Sequence, residues 1–493
     1  MDDLYIIVWN PLVHSLNGVW DAFRGPYWPP DLGGQMYRPL PLASFAIDWS
    51  LGRGHSLLFH AVNLIWHAAV SVGVAMLTLR FPSLEGRGDQ GVRISPNGRG
   101  DQRVRITALM AGLIFAVHPV HVEAVANVIG LGELMAAAGV CLAVYAAVIR
   151  QNVMWSGAAL LLGLLSKENA IVAPALIVWA WIVGPPLVPR PDRRRLGAFA
   201  VSWLLIVGAF LVVRSMVLSP YERLHVTAPI FLGESALAGR LTALAALGDV
   251  VRLLIFPLTL RVDYSPAERT IVHSLLDVRF AIGLLCLALW SGLLVLAWRR
   301  NRRLELYGLG WIAIAFLPVS NLLFSTGVLI AERTLYLPSV GLALVAGAAL
   351  ARLPVDRLRI VAVLIVLAGG IRTALRTPVW HDDVAVTRSI LEDSPNSYRG
   401  PARMAAIYQS HRQPAQALRA LQEASRIYSR DPTLFVAAAD AAMTVGRPRL
   451  ADTLLLQAEQ LCHQCPGYLR TQALAARTRG DSAVADSLLA RIR

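Results

Sequence analysis

The chain has 493 residues, of which 56% are hydrophobic, and its mean hydropathy is +0.53. This composition excludes an ordinary soluble protein and predicts a polytopic membrane protein. The net charge of +14 comes from arginines in short loops beside apolar segments. Arginines in such positions act as topology signals, so nucleic-acid binding is not expected.

Ten apolar windows follow the first 55 residues, and each is predicted to form a membrane helix. The segment before them opens with MDDLYIIVWNP, which lacks a basic n-region and carries two acids, so no cleavable signal peptide is expected. The windows are 56–79, 107–118, 131–149, 153–166, 169–184, 197–218, 280–298, 304–324, 336–351 and 358–376.

The loops between these windows alternate in charge, which predicts the side of the membrane on which each lies. The arginine-rich loops, expected in the cytoplasm, are 80–105, 190–195, 299–303 and 352–359. The segments expected to face outward are 1–55, 118–130, the region around 167, 219–279, 325–335 and everything after 377. Both termini are then external. We therefore expect a first, inward-to-outward helix to be absent from this sequence, with eleven spans in the complete protein.

The outward segment 219–279 contains ALAGRLTALAALGDVVRLLIFPL, in which charged residues recur at helical spacing. This pattern predicts an amphipathic helix at the membrane surface. The alternative is a further span, but that span would invert every later loop against the charge rule.

From about residue 380 the sequence becomes alanine-rich and repeats with a period of 34 residues. Ala417, Ala451 and Ala485 are 34 residues apart, as are Gly446 and Gly480. This is the spacing of tetratricopeptide repeats, which stack as helix pairs into a solenoid whose concave face typically binds peptides. The alternative is a packing or dimerisation module.

The predicted fold class is therefore all-α. We expect a polytopic transmembrane domain over 1–379 and an extracytoplasmic tetratricopeptide-repeat solenoid over 380–493.

Ionisable side chains are concentrated in the outward loops beside the spans, where such groups are costly and usually functional. Acids and cations together at an outer membrane surface suit the transfer of a group from a lipid phosphate to an acceptor hydroxyl. A carboxylate takes the hydroxyl proton as general base, while arginine and lysine stabilise the charge on the leaving phosphate. The outward set is Asp2, Asp3, Arg38, His60, Asn63, His67, His118, His121, Glu123, Glu133, Lys167, Glu168, Asp263, Glu332 and Arg333.

Each group in this set also has a structural alternative. Arg38 and Arg333 would then anchor spans at the lipid headgroups, and Asp2 or Asp3 would be part of a solvated terminus. Lys167, which is the only lysine in the chain, would form a structural ion pair with Glu168.

Zinc-ligand residue types occur in HPVHVE at 118–123, but a spacing of three across a proline and the absence of HExxH favour an interfacial hydrogen-bonding role. Cys462 and Cys465 form a lone CxxC, which is typical of a local disulfide or of helix packing. We predict no metal site and no firm cofactor, and dependence on a divalent metal stays open.

Seven motifs in consistent order resemble the transmembrane and tetratricopeptide-repeat (TMTC-type) glycosyltransferases, polytopic proteins of the GT-C class, which also includes protein O-mannosyltransferases. They are DDLYIIVWNPLV, MYRPLPLASFAIDWSLG, LLFHAVNLIWH, FAVHPVHVEAVANVIGLGELMAA, SKENAIVAP, FPLTLRVDYSP and AERTLYLPSVG. The resemblance implies an inverting transfer of a sugar, mannose in the eukaryotic members, from a polyprenyl phosphate to a protein hydroxyl. It places the family's acidic base motif on Asp2 and Asp3. One departure is Leu131, where related sequences usually have an arginine.

We therefore expect a membrane glycosyltransferase that modifies protein acceptors at the outer face, with the repeats contacting the acceptor or a partner. The alternative is a catalytically silent scaffold whose repeats recruit partner proteins. Arginine replaces lysine almost throughout, which is typical of a GC-rich bacterial gene and points to the bacterial inner membrane with the repeats in the periplasm. The expected roles are general base for Asp2 or Asp3, donor phosphate binding for Arg38, Lys167 and Arg333, and support of the site by His118, His121, Glu123, Glu168 and Glu332.

Overall fold

The computed structural model describes residues 3–30, 34, 36–80, 99–184, 190–221, 228–461, 468–478 and 480–490. Within these ranges the chain is helical, and the only β-type pairing is an isolated bridge between Pro266 and Arg269. The all-α prediction is therefore confirmed. Asp2, Cys462, Cys465 and most of the basic loop 80–105 lie outside the described residues.

The part of the chain up to residue 380 folds into fourteen helices, joined in places by short helical turns. The helices are α1 (Pro39–Gly52), α2 (Ser56–Arg80), α3 (Arg99–Val117), α4 (Val122–Ala126), α5 (Leu131–Val144), α6 (Val153–Ser166), α7 (Ala173–Val183), α8 (Arg193–Leu218), α9 (Ala236–Ala245), α10 (Leu247–Ile255), α11 (Val278–Arg299), α12 (Arg303–Phe316), α13 (Pro338–Leu350) and α14 (Val355–Arg376). The turns are Leu4–Val8, Pro11–His14, Gly18–Asp21, Pro119–His121, Val128–Gly130, Tyr145–Ile149, Glu168–Val172, Pro229–Phe231, Leu317–Val319, Glu332–Leu335 and Thr377–Trp380.

Five helices in the described ranges are long and apolar enough to cross a membrane: Ser56–Leu79, Val128–Ile149, Arg193–Leu218, Val278–Arg299 and Asp356–Trp380. A sixth is added if α3 and the following Pro119–Ala126, which are bent by 47° at the break between them, are one span. The chain is thus a multi-pass membrane protein. Helices also occupy the other predicted windows, but they are short, so the estimate of ten spans exceeds the five or six that meet the length criterion.

The helices pack closely through small residues. At the crossing of α12 and α13, a Cβ atom added to Gly308 would lie 2.6 Å from the carbonyl oxygen of Gly341. Such close approach of backbones is the usual way in which membrane helices gain packing energy. The main core lies here and around the contacts of α5 with α6 and α7.

The predicted amphipathic helix is two short helices, α9 and α10, rather than one. Leu253 and Leu254 of α10 are buried in a cluster with Ile330 and Leu335, whereas Ile255 is 69% exposed. One face of α10 therefore packs on the outer turn 332–335.

Seven further helices follow: α15 (Asp383–Asp393), α16 (Arg399–Ser410), α17 (Pro414–Ile427), α18 (Pro432–Thr444), α19 (Pro448–Leu461), α20 (Tyr468–Thr478) and α21 (Ser482–Ala490). The last six form three hairpins, and their second helices begin at 414, 448 and 482, which are 34 residues apart. The turns before them contain left-handed residues at the same interval: Arg412 (φ 58°), Gly446 (φ 73°) and Gly480 (φ 91°). The predicted period is thus a structural period of helix hairpins.

Candidate functional site

An open cavity of about 1050 Å³ lies between the start of α2, the bend from α3 to α4, and the end of α14 with the residues that follow it. We call it the outer cavity. Its wall contains no arginine or lysine among the described residues. Its ionisable and amide side chains are Asp3, His60, His67, His118, His121, Asn127, His381, Asp382 and Asp383.

One face of α2 forms a wall of this cavity. Ser56, His60, Leu64 and His67 recur at intervals of three and four residues, so they lie on the same side of the helix. Asp3, immediately before the turn Leu4–Val8, also lines the cavity. The fold therefore places Asp3 of the N-terminal segment and His60 of α2 on the wall of one cavity.

His118 holds the bend of the broken helix. Its Nδ1 accepts a hydrogen bond from the Val120 backbone N–H at 3.3 Å, and its Nε2–H donates to the Leu254 carbonyl at 2.9 Å. Both ring nitrogens are thus engaged, and the ring is neutral in this arrangement. His118 fixes the turn at Pro119 and attaches it to the end of α10.

His67 and His121 are held around Tyr336 in a similar way. His67 Nε2–H donates to the Ala116 carbonyl at 3.0 Å, and its Nδ1 accepts from the Tyr336 hydroxyl at 2.8 Å. His121 Nε2 lies 2.7 Å from Ser339 Oγ, which itself donates to the Tyr336 carbonyl, so the histidine is the donor in this pair. His67 therefore links helices through both ring nitrogens, whereas Nδ1 of His121 is buried and has no hydrogen-bond partner among the described residues.

Arg38, at the start of α1, binds Glu168 through two donors. Its Nη2 and Nε lie 2.9 and 3.1 Å from the same carboxylate oxygen. Burial lowers the pKa of the Arg38 guanidinium, but Glu168 more than offsets this, and the net shift is upward. The arginine is therefore charged and paired.

Lys167 follows the last residue of α6 and forms an ion pair with Glu133 at the start of α5. Asn169 donates to the other oxygen of the same carboxylate at 3.1 Å. Burial lowers the pKa of the Lys167 ammonium, Glu133 opposes that shift, and the positive charges of Arg38 and Arg333 reinforce it. The three cations therefore act on one another within one region.

Arg333 pairs with Glu123 of α4 through its guanidinium, and its backbone N–H donates to the second oxygen of Glu123 at 2.8 Å. Arg38–Glu168, Lys167–Glu133 and Arg333–Glu123 together are called the ion-pair cluster. None of the six side chains lines the outer cavity.

Glu332, next to Arg333, is buried and accepts hydrogen bonds from the Arg261 backbone N–H and from the Tyr264 hydroxyl, the latter at 3.0 Å. Burial first, and then the negative charge of Glu123, raise the pKa of the Glu332 carboxyl to about 8. The carboxyl is therefore largely protonated at neutral pH.

The chain is similar to several protein O-mannosyl-transferases. It is 28% identical to human TMTC4 over 80% of its own length, 26% identical to human TMTC3 over 69%, and 25% identical to mouse TMTC1 over 87%. It spans 59%, 39% and 56% of the length of these relatives, respectively. No protein-family model matches the chain, and no solved structure matches it significantly.

The chain is thus similar in sequence to TMTC proteins. The resemblance that its motifs indicated is confirmed by these matches, which extend over most of the chain.

The structure of this TMTC-like chain corrects one predicted pairing. Lys167 pairs with Glu133, and Glu168 pairs with Arg38 instead of with its neighbour Lys167. Adjacent residues at a helix start do not face each other, so each finds its partner on another helix. The predicted phosphate-binding cations are thus each matched by a glutamate.

The sequence interpretation missed the cavity residues after α14. His381, Asp382 and Asp383 line the outer cavity, with His381 Nδ1 3.1 Å from a carboxylate oxygen of Asp382. The sequence does contain a signal for these residues, because the charged stretch WHDD at 380–383 comes shortly after the last apolar window, which ends at residue 376. Within the described residues, no group of three or more His, Cys, Asp or Glu side chains is arranged to hold a metal ion.

Proposed function

We propose that this protein is a glycosyltransferase that transfers a sugar, mannose-like, from a polyprenyl phosphate to hydroxyl groups of a protein acceptor at the outer face of the membrane. The similarity to named O-mannosyl-transferases supports a sugar transfer to protein. The observation that supports the site is that the carboxylate of Asp3 lines the outer cavity, which shares His118 with an apolar crevice.

Asp3 is the proposed general base. In an inverting transfer the acceptor oxygen attacks the anomeric carbon, the bond from that carbon to the phosphate oxygen breaks, and the hydroxyl proton passes to the base. Asp3 is supported by its place on the cavity wall, whereas His67 and His118 have both ring nitrogens engaged in hydrogen bonds within the fold. Asp2 remains the alternative base.

A second, almost wholly apolar crevice of about 500 Å³ supports the choice of a lipid-linked donor. It lies between α3, α10, α13 and α14, and its lining includes Ile114, Phe256, Leu342 and Leu364. His118 lines both this crevice and the outer cavity. A polyprenyl chain in the crevice would therefore leave its phosphate end near the cavity.

Arg38, Lys167 and Arg333 are the proposed source of positive charge for the donor phosphate. Since each is paired with a glutamate, phosphate binding would require exchange of a carboxylate partner for a phosphate oxygen. The exchange is most accessible at Arg333, whose side chain is 37% exposed against 15% for Lys167 and 17% for Arg38. Arg333 is accordingly the first of the three to test for donor affinity.

The proposed setting is the bacterial inner membrane, with a GT-C-like domain over 1–379 and the hairpins over 380–493 in the periplasm. The hairpins would contact the protein acceptor through a tetratricopeptide-like concave surface. Residues 381–383 line the outer cavity, which supports a role for this part of the chain beside the site.

The test is transfer from a synthetic polyprenyl-phosphate mannose to candidate periplasmic proteins by the purified protein in lipid nanodiscs. Removing the base by Asp3→Asn should lower the turnover by about 10²- to 10⁴-fold, the usual contribution of a general base. Asp21→Asn is the matched control, because Asp21 is an exposed carboxylate of the same N-terminal segment outside the cavity. Full activity of Asp3→Asn would exclude Asp3 as the base. If the unmodified protein binds partner proteins but transfers no sugar, the scaffold interpretation is favoured.

A further inference from the structure

The outer segment 261–266 lies between the hairpins and the turn 332–335, which carries Arg333 of the ion-pair cluster, and it contacts both the hairpins and this turn. On one side, the Arg261 backbone N–H and the Tyr264 hydroxyl both donate to Glu332, the residue next to Arg333. The segment is thereby attached to the turn that places Arg333 against Glu123.

On the other side, Asp263 connects the same segment to the start of the hairpins. Its carboxylate accepts hydrogen bonds from Ser397 Oγ at 2.6 Å and from Arg399 Nη1 at 3.2 Å, and its carbonyl accepts from Ser394 Oγ at 2.8 Å. The Asp263 side chain is only 7% exposed. A buried carboxylate with this many partners fixes the geometry strongly, because separation would leave its charge unpaired.

A second contact lies about one hairpin further along. The Tyr428 hydroxyl donates to the Pro229 carbonyl at 2.7 Å, and Arg430 lies 2.9 Å from a carboxylate oxygen of Glu234. The two attachments lie at the start of α16 and at the junction of α17 and α18, so each restricts rotation about the other. The first hairpin is thus held in both position and orientation.

We propose that residues 261–266 are a rigid bridge that fixes the hairpins at a set position relative to the ion-pair cluster, and that Asp263 and Arg399 are positioning residues for a folded protein acceptor. That this acceptor is a protein rests on the proposed function. An acceptor bound by the hairpins is then presented to the site at high effective concentration, whereas a short peptide that reaches the cavity by diffusion gains nothing from the bridge.

The experiment uses the full chain in nanodiscs with Asp263→Asn, which keeps the shape and removes the charge that Arg399 binds. Asp277→Asn is the matched control, since Asp277 lies outside 261–266 in the wider segment 219–279 and pairs with Arg279. Two quantities are measured: amide hydrogen exchange in α16 and α17, and the kinetics of transfer to a folded acceptor and to a short peptide with the same hydroxyl.

Asp263→Asn should accelerate exchange in α16 and raise KM for the folded acceptor by roughly tenfold, with kcat unchanged and the peptide affected by less than about twofold. Asp263→Glu, which keeps the charge, should show a smaller increase in both the exchange rate and KM. Unchanged exchange would overturn the bridge, and equal losses for both acceptors would overturn the positioning role. If the unmodified protein transfers sugar to neither substrate, the proposed function fails and the positioning role with it, while the exchange measurement still decides whether the bridge exists.

Discussion

The outer cavity and the ion-pair cluster divide the predicted site residues between two regions of opposite character. The cavity wall has carboxylates and histidines but no arginine or lysine within the described residues. The cluster has three cations, each matched by a buried or half-buried glutamate. A carboxylate on the cavity wall therefore lines open space, whereas a cation in the cluster has to leave its glutamate before it can bind a phosphate.

This difference indicates separate duties for the two regions. Removing the cavity carboxylate Asp3 should change the reaction more than the fold, because Asp3 lines an open cavity near the start of the described chain. Removing one member of a buried pair should change the fold first, because the remaining charge stays in a poorly solvated place. The predictions below use this contrast, beginning with the largest expected effect.

Lys167→Met should destabilise the protein by about 3–5 kcal/mol, because it leaves the Glu133 carboxylate buried without its cation. Glu133 is 3% exposed and would retain only the hydrogen bond from Asn169. Thermal unfolding in nanodiscs measures the effect.

The double change Lys167→Met with Glu133→Gln is the control and should recover much of the lost stability, since no charge is then left unpaired. Lys167→Arg should lower stability and activity together if the pair is structural. Lost activity with intact folding would instead assign Lys167 to the donor phosphate.

His118→Ala should cost about 2–3 kcal/mol of stability, because it leaves the Val120 N–H and the Leu254 carbonyl without the ring that joins them. The same thermal unfolding assay applies. His55→Ala is the matched control, because His55 is exposed and should tolerate the change. Equal stability of the two variants would show that the ring does not hold the bend.

Glu332 should make stability fall as the pH rises from about 5 to 8. The folded state keeps the proton up to a pKa of about 8, whereas the unfolded chain releases it near its ordinary pKa of 4.5, so the stabilisation is complete below the lower pKa and is lost through the higher one. The slope is at most about 1.4 kcal/mol per pH unit for one proton.

Glu332→Gln should remove this contribution, because glutamine stays neutral at every pH in the range. The measurement is the thermal midpoint at pH 6 and pH 8.5 for both proteins. An identical pH dependence in the two would contradict a protonated Glu332.

Several features could be predicted from the sequence because they depend on local pattern. The apolar windows became helices, the 34-residue period became helix hairpins, and the charged residues predicted to face outward included all six members of the cluster. Pairing could not be predicted in this way. Lys167 and Glu168 are adjacent in sequence, yet their partners come from residues 133 and 38, since only the packing of α1, α5 and α6 decides which carboxylate each cation meets.

The position of His381, Asp382 and Asp383 on the same cavity wall as Asp3 could not be predicted either, because it brings together the two ends of the helical membrane region. The end of the apolar window at residue 118 was predicted from the sequence, but the Leu254 carbonyl that binds His118 was not. Long-range hydrogen bonds of this kind depend on helix placement rather than on motif spacing.

The contrast between the two regions is tested most directly by measuring the transfer rate and the thermal midpoint of Asp3→Asn and Lys167→Met in the same nanodisc preparation. The account predicts that Asp3→Asn loses turnover by at least about 10²-fold at an unchanged midpoint, and that Lys167→Met lowers the midpoint. A stable, inactive Lys167→Met beside a fully active Asp3→Asn would contradict it.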